Sequence, residues 1–171
     1  MTAVEIADLN SGYLTHGTGL LVSILLRYPE IGTISCCNEQ QTLVLKFLIS
    51  KEYDFEPLKN KLLLALELFN QFEGRKISVC SIEQHKQQEV DLLVITRDLK
   101  SITKNEINLI VEFLKSNIGK QLIVEQGNLS EEEILLQEDV INHMLTVIKA
   151  NGTDKSFTAL REDGRVLVFN S

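Results

Sequence analysis

The sequence predicts an α+β fold: a ferredoxin-like (split βαβ) pseudo-repeat carrying an extra N-terminal helix and strand, and a C-terminal helix plus β-hairpin. Three observations predict it. The first is a weak internal repeat between Thr33 and Gln126. An offset of 45 positions sets Ile34 on Val79, Leu45 on Val90, Phe47 on Leu92, Lys59-Asn60 on Lys104-Asn105 and Glu67 on Glu112. One supersecondary unit used twice leaves such a period, and the identical polar pairs weigh more than apolar coincidences. The second is the order strand-helix-strand-strand-helix-strand from Leu43 to Gln126, which two right-handed crossovers side by side would produce. The third is Asp163-Gly164 between alternating segments, the signature of a type I′ hairpin.

In chain order, residues 1–19 are weakly patterned, with Gly12, Gly17 and Gly19 working against a long regular element. Thr18 is placed to cap a short helix through Leu20, Leu21, Ile24, Leu25 and Tyr28, ended by Pro29. Thr33 to Cys37 reads as a short strand surplus to the repeat, and Asn38-Glu39-Gln40 as a turn. Leu43 to Ile49 is apolar on both faces and therefore interior to a sheet. Asp54 is an N-cap candidate, with Glu56 and Pro57 acceptable in the first turn. The helix it opens buries Phe55, Leu58, Leu62, Ala65, Leu66 and Phe69, and Gly74 ends it. Leu64 and Leu68 lie off that stripe, so a second surface is expected to meet them.

Ile77 to Ile82 is the next strand, Glu83 to Gln88 a polar connection, and Val90 to Thr96 another doubly apolar strand. Thr103 and Glu106 predict a capping box for a helix presenting Ile107, Ile110, Val111, Leu114 and Ile118 and stopping at Gly119. Leu122 to Glu125 completes the repeat as a strand. Ser130 and Glu133 form a second capping box for a long helix to about Ala150, which Asn151-Gly152 stops. Phe157 to Phe169 is the hairpin. The expected organisation is an N-terminal loop and short helix (1–30), the pseudo-repeat core (31–127) and the C-terminal helix and hairpin (128–171), packed as one domain.

Alternation assigns the sheet faces. Leu43, Leu45, Phe47, Ile49, Val90, Leu92, Val94, Ile77 and Val79 are expected under the repeat helices. The opposite face would then carry Val44, Leu48, Leu93, Ile95, Cys80, Ile82 and Ile123, with only Lys46, Asp91 and Glu125 as charges. A face that apolar calls for a cover: the terminal helices, a second copy of the chain, or a partner.

Composition narrows the functions. The chain is 44% hydrophobic and 24% charged, as soluble globular proteins are. A net charge of −7 argues against nucleic acid or an anionic membrane as main partner. Three cysteines, Cys36 beside Cys37 and Cys80 apart, suit reduced thiols better than a disulfide framework. Met1 to Asn10 holds two acids and no base, unlike a secretory signal, and the longest apolar run, Leu20 to Leu26 broken by Ser23, is too short to cross a bilayer. The expected location is the cytoplasm.

Candidate chemistry is sparse. His16-Gly17-Thr18-Gly19 ahead of a helix is the best anion-binding candidate, because free N–H groups and glycines admit a phosphate or carboxylate. The spacing matches no nucleotide fingerprint. Cys36, Cys37 and Cys80 could form a thiol site if their strands are neighbours, but they lack zinc-ligand spacing. His16, His85 and His143 are scattered, and Glu131-Glu132-Glu133 complement a helix dipole rather than gather a metal. No metal or cofactor is expected. RNA binding would need exposed aromatics on the central strands, where Val90 to Thr96 has none. The expectation is a non-catalytic interaction, assembly or regulatory module acting through apolar helix and sheet surfaces, self-associating or binding another protein. The alternative is a small-molecule-binding protein or enzyme with its site at the Gly17–Gly19 loop.

Overall fold

The computed structural model describes residues 16–50, 52–125, 127 and 129–170, together with the backbone of 3–5; Gly12 and Gln126 lie outside them. Four helices and seven strands follow in the order β1 (Ala3–Glu5), α1 (His16–Arg27), β2 (Thr33–Cys37), β3 (Thr42–Ser50), α2 (Phe55–Phe72), β4 (Cys80–Lys86), β5 (Val90–Asp98), α3 (Lys104–Ile118), α4 (Glu131–Asn151), β6 (Phe157–Glu162) and β7 (Arg165–Asn170). The fold is α+β, as the alternating patterns predict. The strands form one sheet ordered β1-β7-β6-β2-β3-β5-β4, each neighbouring pair antiparallel.

Register decides which residues share a face. Leu45 lies opposite Ile34 on one side and Ile95 on the other, Phe47 opposite Leu93, and Ile95 opposite Ile82. Through β2 the same face continues from Ile34 to Ala159 and from Ala159 to Val168. All of these are buried in one hydrophobic cluster with Ile24 of α1, Leu62 of α2, Ile110 of α3 and Ile141 of α4. The four helices therefore cover a single face of the sheet. The buried apolar residues of the other face, Val94 and Leu167, stand outside that cluster.

This register reverses the expected facing of β4 and β5. Leu93, Ile95, Cys80 and Ile82 lie on the helix side with Leu43, Leu45, Phe47 and Ile49, whereas Val90, Leu92 and Val94 lie on the open side. A strand apolar on both faces has no alternation to set its facing, so pairing with its neighbours does. The consequence is a more polar open face than expected. Lys46 and Glu83 flank Val94 across three strands, Thr96 pairs with Val44, and the Ser35 and Thr158 hydroxyls meet at 2.9 Å. The case for a necessary cover over that face is correspondingly weaker.

Two strands also differ. β4 runs through the predicted polar connection, and Ile77 and Val79 precede it. The predicted strand at 122–125 is reduced to one antiparallel bridge between Leu122 and Ile49, flanked by Ser50 N–H donating to Gln121 O at 2.8 Å and Ile123 N–H to Leu48 O at 2.9 Å. The reason is occupancy: β2 takes the same edge of β3, pairing Thr33 to Cys37 with Lys46 to Thr42. The surplus strand of the sequence is thus interior, joining β3 to β6 of the C-terminal hairpin.

That hairpin turns at Asp163 (φ 51°) and Gly164 (φ 76°), both in the left-handed region that a type I′ turn requires. It is fastened to the β2–β3 turn, where Gln41 (φ 52°) accepts from Thr153 N–H at 3.1 Å and donates to Asn38 O at 2.6 Å. Ser156 closes the join, donating to Asn38 Oδ1 at 2.6 Å and accepting from Asn38 N–H at 2.8 Å. On β6, Arg161 donates to the carbonyls of Leu25 (2.6 Å), Tyr28 (2.7 Å) and Ile31, occupying acceptors that the end of α1 leaves open.

Candidate functional site

Strand β5 ends in Arg97-Asp98, and the register sends Arg97 to the helix side, where it is fully buried. A guanidinium there must find partners for its donors. Its Nε donates to Glu106 Oε2 at 2.6 Å and Nη2 to Glu106 Oε1 at 2.7 Å, a bidentate pair. Nη1 reaches Ser101 Oγ at 3.0 Å, Val79 O at 3.3 Å and the Asp98 carboxylate. Glu106 is itself fully buried in the first turn of α3. Its N–H donates to Thr103 Oγ1 at 3.2 Å, but its carboxylate goes to Arg97 and to Asn70 Nδ2 (2.7 Å). The predicted capping box is therefore half made, because the stronger charged partner takes the returning arm.

Asp98 accepts from the N–H groups of Val79 (3.1 Å), Ser78 (3.3 Å) and Ser101 (3.0 Å). Burial pulls its pKa upward, but these bonds and the Arg97 charge prevail and hold it below the usual carboxylate range. Unfolded, the group titrates near about 3.9. A depressed folded value means its stabilisation is complete above the unfolded pKa and is lost as pH falls through the folded one. Asp98→Asn should accordingly flatten the acid-side fall in stability below about pH 4, read from urea melts at stepped pH.

Beside this cluster opens a polar cleft of about 240 Å³. Arg75, just past α2, borders it; Thr103, Lys104 and Asn105 contribute from the start of α3, and Asn142, Leu145, Thr146 and Lys149 from α4. Arg75 is held by its N–H donating to Asn70 O at 2.8 Å. Lys104 lies 3.6 Å from Glu138 and Arg75 3.7 Å from Glu73, both loose pairs. Lys149 makes no ion pair among the described residues. Burial and then the Arg75 charge push its pKa below the usual lysine value. Such a recess can hold negative charge.

The residues singled out in the sequence are placed elsewhere. His16 begins α1, two positions ahead of the expected cap, and Gly17, Thr18 and Gly19 are buried within the first turn. The His16 ring meets that of His143 on α4 edge to face, with centroids 6.5 Å apart. Cys36 is buried on the helix face of β2, its thiol 4.0 Å from Thr153 Oγ1. Cys37 turns to the other face, toward Gln40, and Cys80 lies opposite Arg97 on β4. Because β3 and β5 stand between β2 and β4, Cys36 and Cys80 are not strand neighbours. Burial raises the pKa of both thiols. Among the described residues no group of three or more His, Cys, Asp and Glu is placed to hold a metal.

Sequence reasoning missed Arg75, Arg97, Lys104 and Lys149. The one available signal was the repeated Lys-Asn pair: Lys104-Asn105 starts α3 on the cleft, whereas Lys59-Asn60 lies in the first turns of α2.

A second surface is apolar. On α2, Leu58, Leu62 and Leu66 face the core, while Leu64 (57% exposed), Leu68 (56%) and Phe72 (91%) form an outward stripe four residues apart. The second surface expected to meet Leu64 and Leu68 is not supplied by the described residues of the same chain. Among those residues, no helix is long and apolar enough to cross a membrane. No protein family, curated protein or solved structure matches the chain.

Proposed function

We propose that this protein is a non-catalytic interaction module that self-associates through the outward face of α2. The observation that carries this reading is the Leu64, Leu68 and Phe72 stripe, large apolar side chains exposed in register along a five-turn helix. A second copy suits it because a stripe of period four is self-complementary. Two antiparallel α2 helices about a twofold axis set each Leu64 against the partner's Leu68, with Lys61 and Gln71 on the polar margin. Burying such side chains fully contributes roughly 1.5–3 kcal/mol each. Association costs about 4–15 kcal/mol and Leu64 and Leu68 are already partly covered, so a weak, concentration-dependent dimer is the expectation.

The core is read as a split βαβ unit whose fourth strand has shrunk to the Leu122 bridge. The order β3-β5-β4, with α2 and α3 on one face, supports that reading. Three unpaired thiols fit a reducing compartment such as the cytoplasm.

Sedimentation velocity across the micromolar range tests the proposal. The wild type should shift from monomer to dimer mass with concentration, and Leu68→Glu should stay monomeric with an unchanged melting temperature. A wild type that remains monomeric throughout sinks self-association and leaves the stripe to a different protein.

A further inference from the structure

We propose that the cleft between α2, α3 and α4 binds a small dianion: a phosphate group, free or carried on a small monoester. Three cations reach it from three separate elements, Arg75 after α2, Lys104 at the start of α3 and Lys149 in the last turn of α4. The chain holds 24 acidic against 17 basic residues, yet none of the residues lining this wall is acidic. Like charges gathered without a counter-charge are destabilising unless something negative is bound between them.

The existing carboxylates do not fill that role. Glu138 also bonds Arg27 Nε at 2.8 Å, and reaches Lys104 only at 3.6 Å. Glu73 reaches Arg75 at 3.7 Å with both side chains more than a third exposed, so solvent screens the pair. Glu106 is committed to Arg97 and Asn70 inside the core. Lys149 is left with its charge partly desolvated and repelled by Arg75 and Arg97, against which the attraction of the committed Glu106 and Asp98 carboxylates does not prevail. The negative end of the α4 dipole offsets part of this, as it does for any lysine in a last turn.

Neutral donors complete the lining. The Asn105 and Asn142 side chains border the cavity and make no hydrogen bond among the described residues. Thr103 Oγ1 takes the Glu106 N–H, so the N–H groups of Lys104 and Asn105 have no intrahelical acceptor. Thr146 donates its hydroxyl to Asn142 O at 2.9 Å and so presents lone pairs, which suit an ester hydroxyl or a protonated oxygen better than a bare anion. Arg75 supplies the planar fork that grips a tetrahedral oxyanion in two places, and Lys104 and Lys149 add point charges. At about 240 Å³ the space is below the range of roughly 300–1,000 Å³ typical of drug-sized ligands, which favours a phosphate bearing few further atoms over a nucleotide.

The test is a ¹⁵N-labelled NMR titration of the full chain with inorganic phosphate and, separately, with methyl phosphate at matched ionic strength. Saturable shifts should concentrate at the amides of Lys104, Asn105, Thr146 and Lys149. Lys149→Gln and Arg75→Gln should each weaken binding by about tenfold, as loss of one charge-assisted contact does. Tighter binding of methyl phosphate assigns the site to an ester, and equal or weaker binding assigns it to free phosphate. Absence of saturation at tens of millimolar, shifts centred elsewhere, or unchanged affinity in both variants overturns the proposal. Both side chains lie outside the hydrophobic core, and the dispersion of each variant's own spectrum reports whether it is folded.

Discussion

Arg97→Ala is expected to destabilise the protein by about 3–5 kcal/mol, the largest effect of any single polar substitution in this chain. The cause is less the loss of Arg97 than what it leaves behind. Glu106 is fully buried and would keep one side-chain partner, Asn70 at 2.7 Å, while Asp98 would retain only its N–H donors. A buried carboxylate without its counter-ion must be protonated or drag water into the core, and either costs several kcal/mol. The double variant Arg97→Met with Glu106→Leu should recover much of that loss, since an apolar pair of similar volume has no charge to desolvate. Urea melts on the wild type, both single variants and the double variant complete the cycle. A single-variant loss below about 1 kcal/mol would mean that the pair contributes no more than a surface ion pair.

Leu93→Ala is expected to cost about 2–5 kcal/mol, whereas Leu92→Ala one position away should cost below about 1.5 kcal/mol. Leu93 is completely buried opposite Phe47 under the helices; Leu92 lies opposite Leu48 on the open face and keeps part of its surface in water. Removing a side chain from the closed layer forfeits its transfer energy and leaves a cavity. On the open face the loss is largely of area already wet. The comparison is sharp because both residues are leucine, adjacent in one strand, and differ in the face they occupy. If Leu92→Ala proves the more costly, β5 pairs with β3 in the opposite facing, and the burial of Arg97 falls with it.

Neither result depends on the cleft or on dimerisation. The cleft adjoins the same Arg97–Glu106 pair, however, because its lining residues Thr103, Lys104 and Asn105 immediately precede Glu106 at the start of α3. A loosened pair would therefore weaken phosphate binding even where the cations are intact.

The sequence by itself determined what short-range forces settle. The helices α2, α3 and α4 form where the 3.6-residue stripes place them. Thr103 and Ser130 accept from the N–H groups of Glu106 and Glu133, Gly74 ends α2 at φ 71°, and Asp163-Gly164 turns the hairpin. Each is decided within a few residues, by a cap, a stripe or a φ angle. Asp54 is the partial exception: it occupies its N-cap but makes no side-chain capping bond. The tertiary structure alone decided the facing of β4 and β5, the entry of β2 into the edge meant for residues 122–125, and the gathering of Arg75, Lys104 and Lys149. Val90 to Thr96 is apolar at every position but Asp91 and Thr96, so alternation cannot choose a face; pairing with β3 and the need of Arg97 for Glu106 choose it. A strand edge holds one neighbour at a time, and which segment wins depends on the whole packing. The three cations lie 29 and 45 residues apart in the chain, so only the closure of α2, α3 and α4 on one another makes them neighbours.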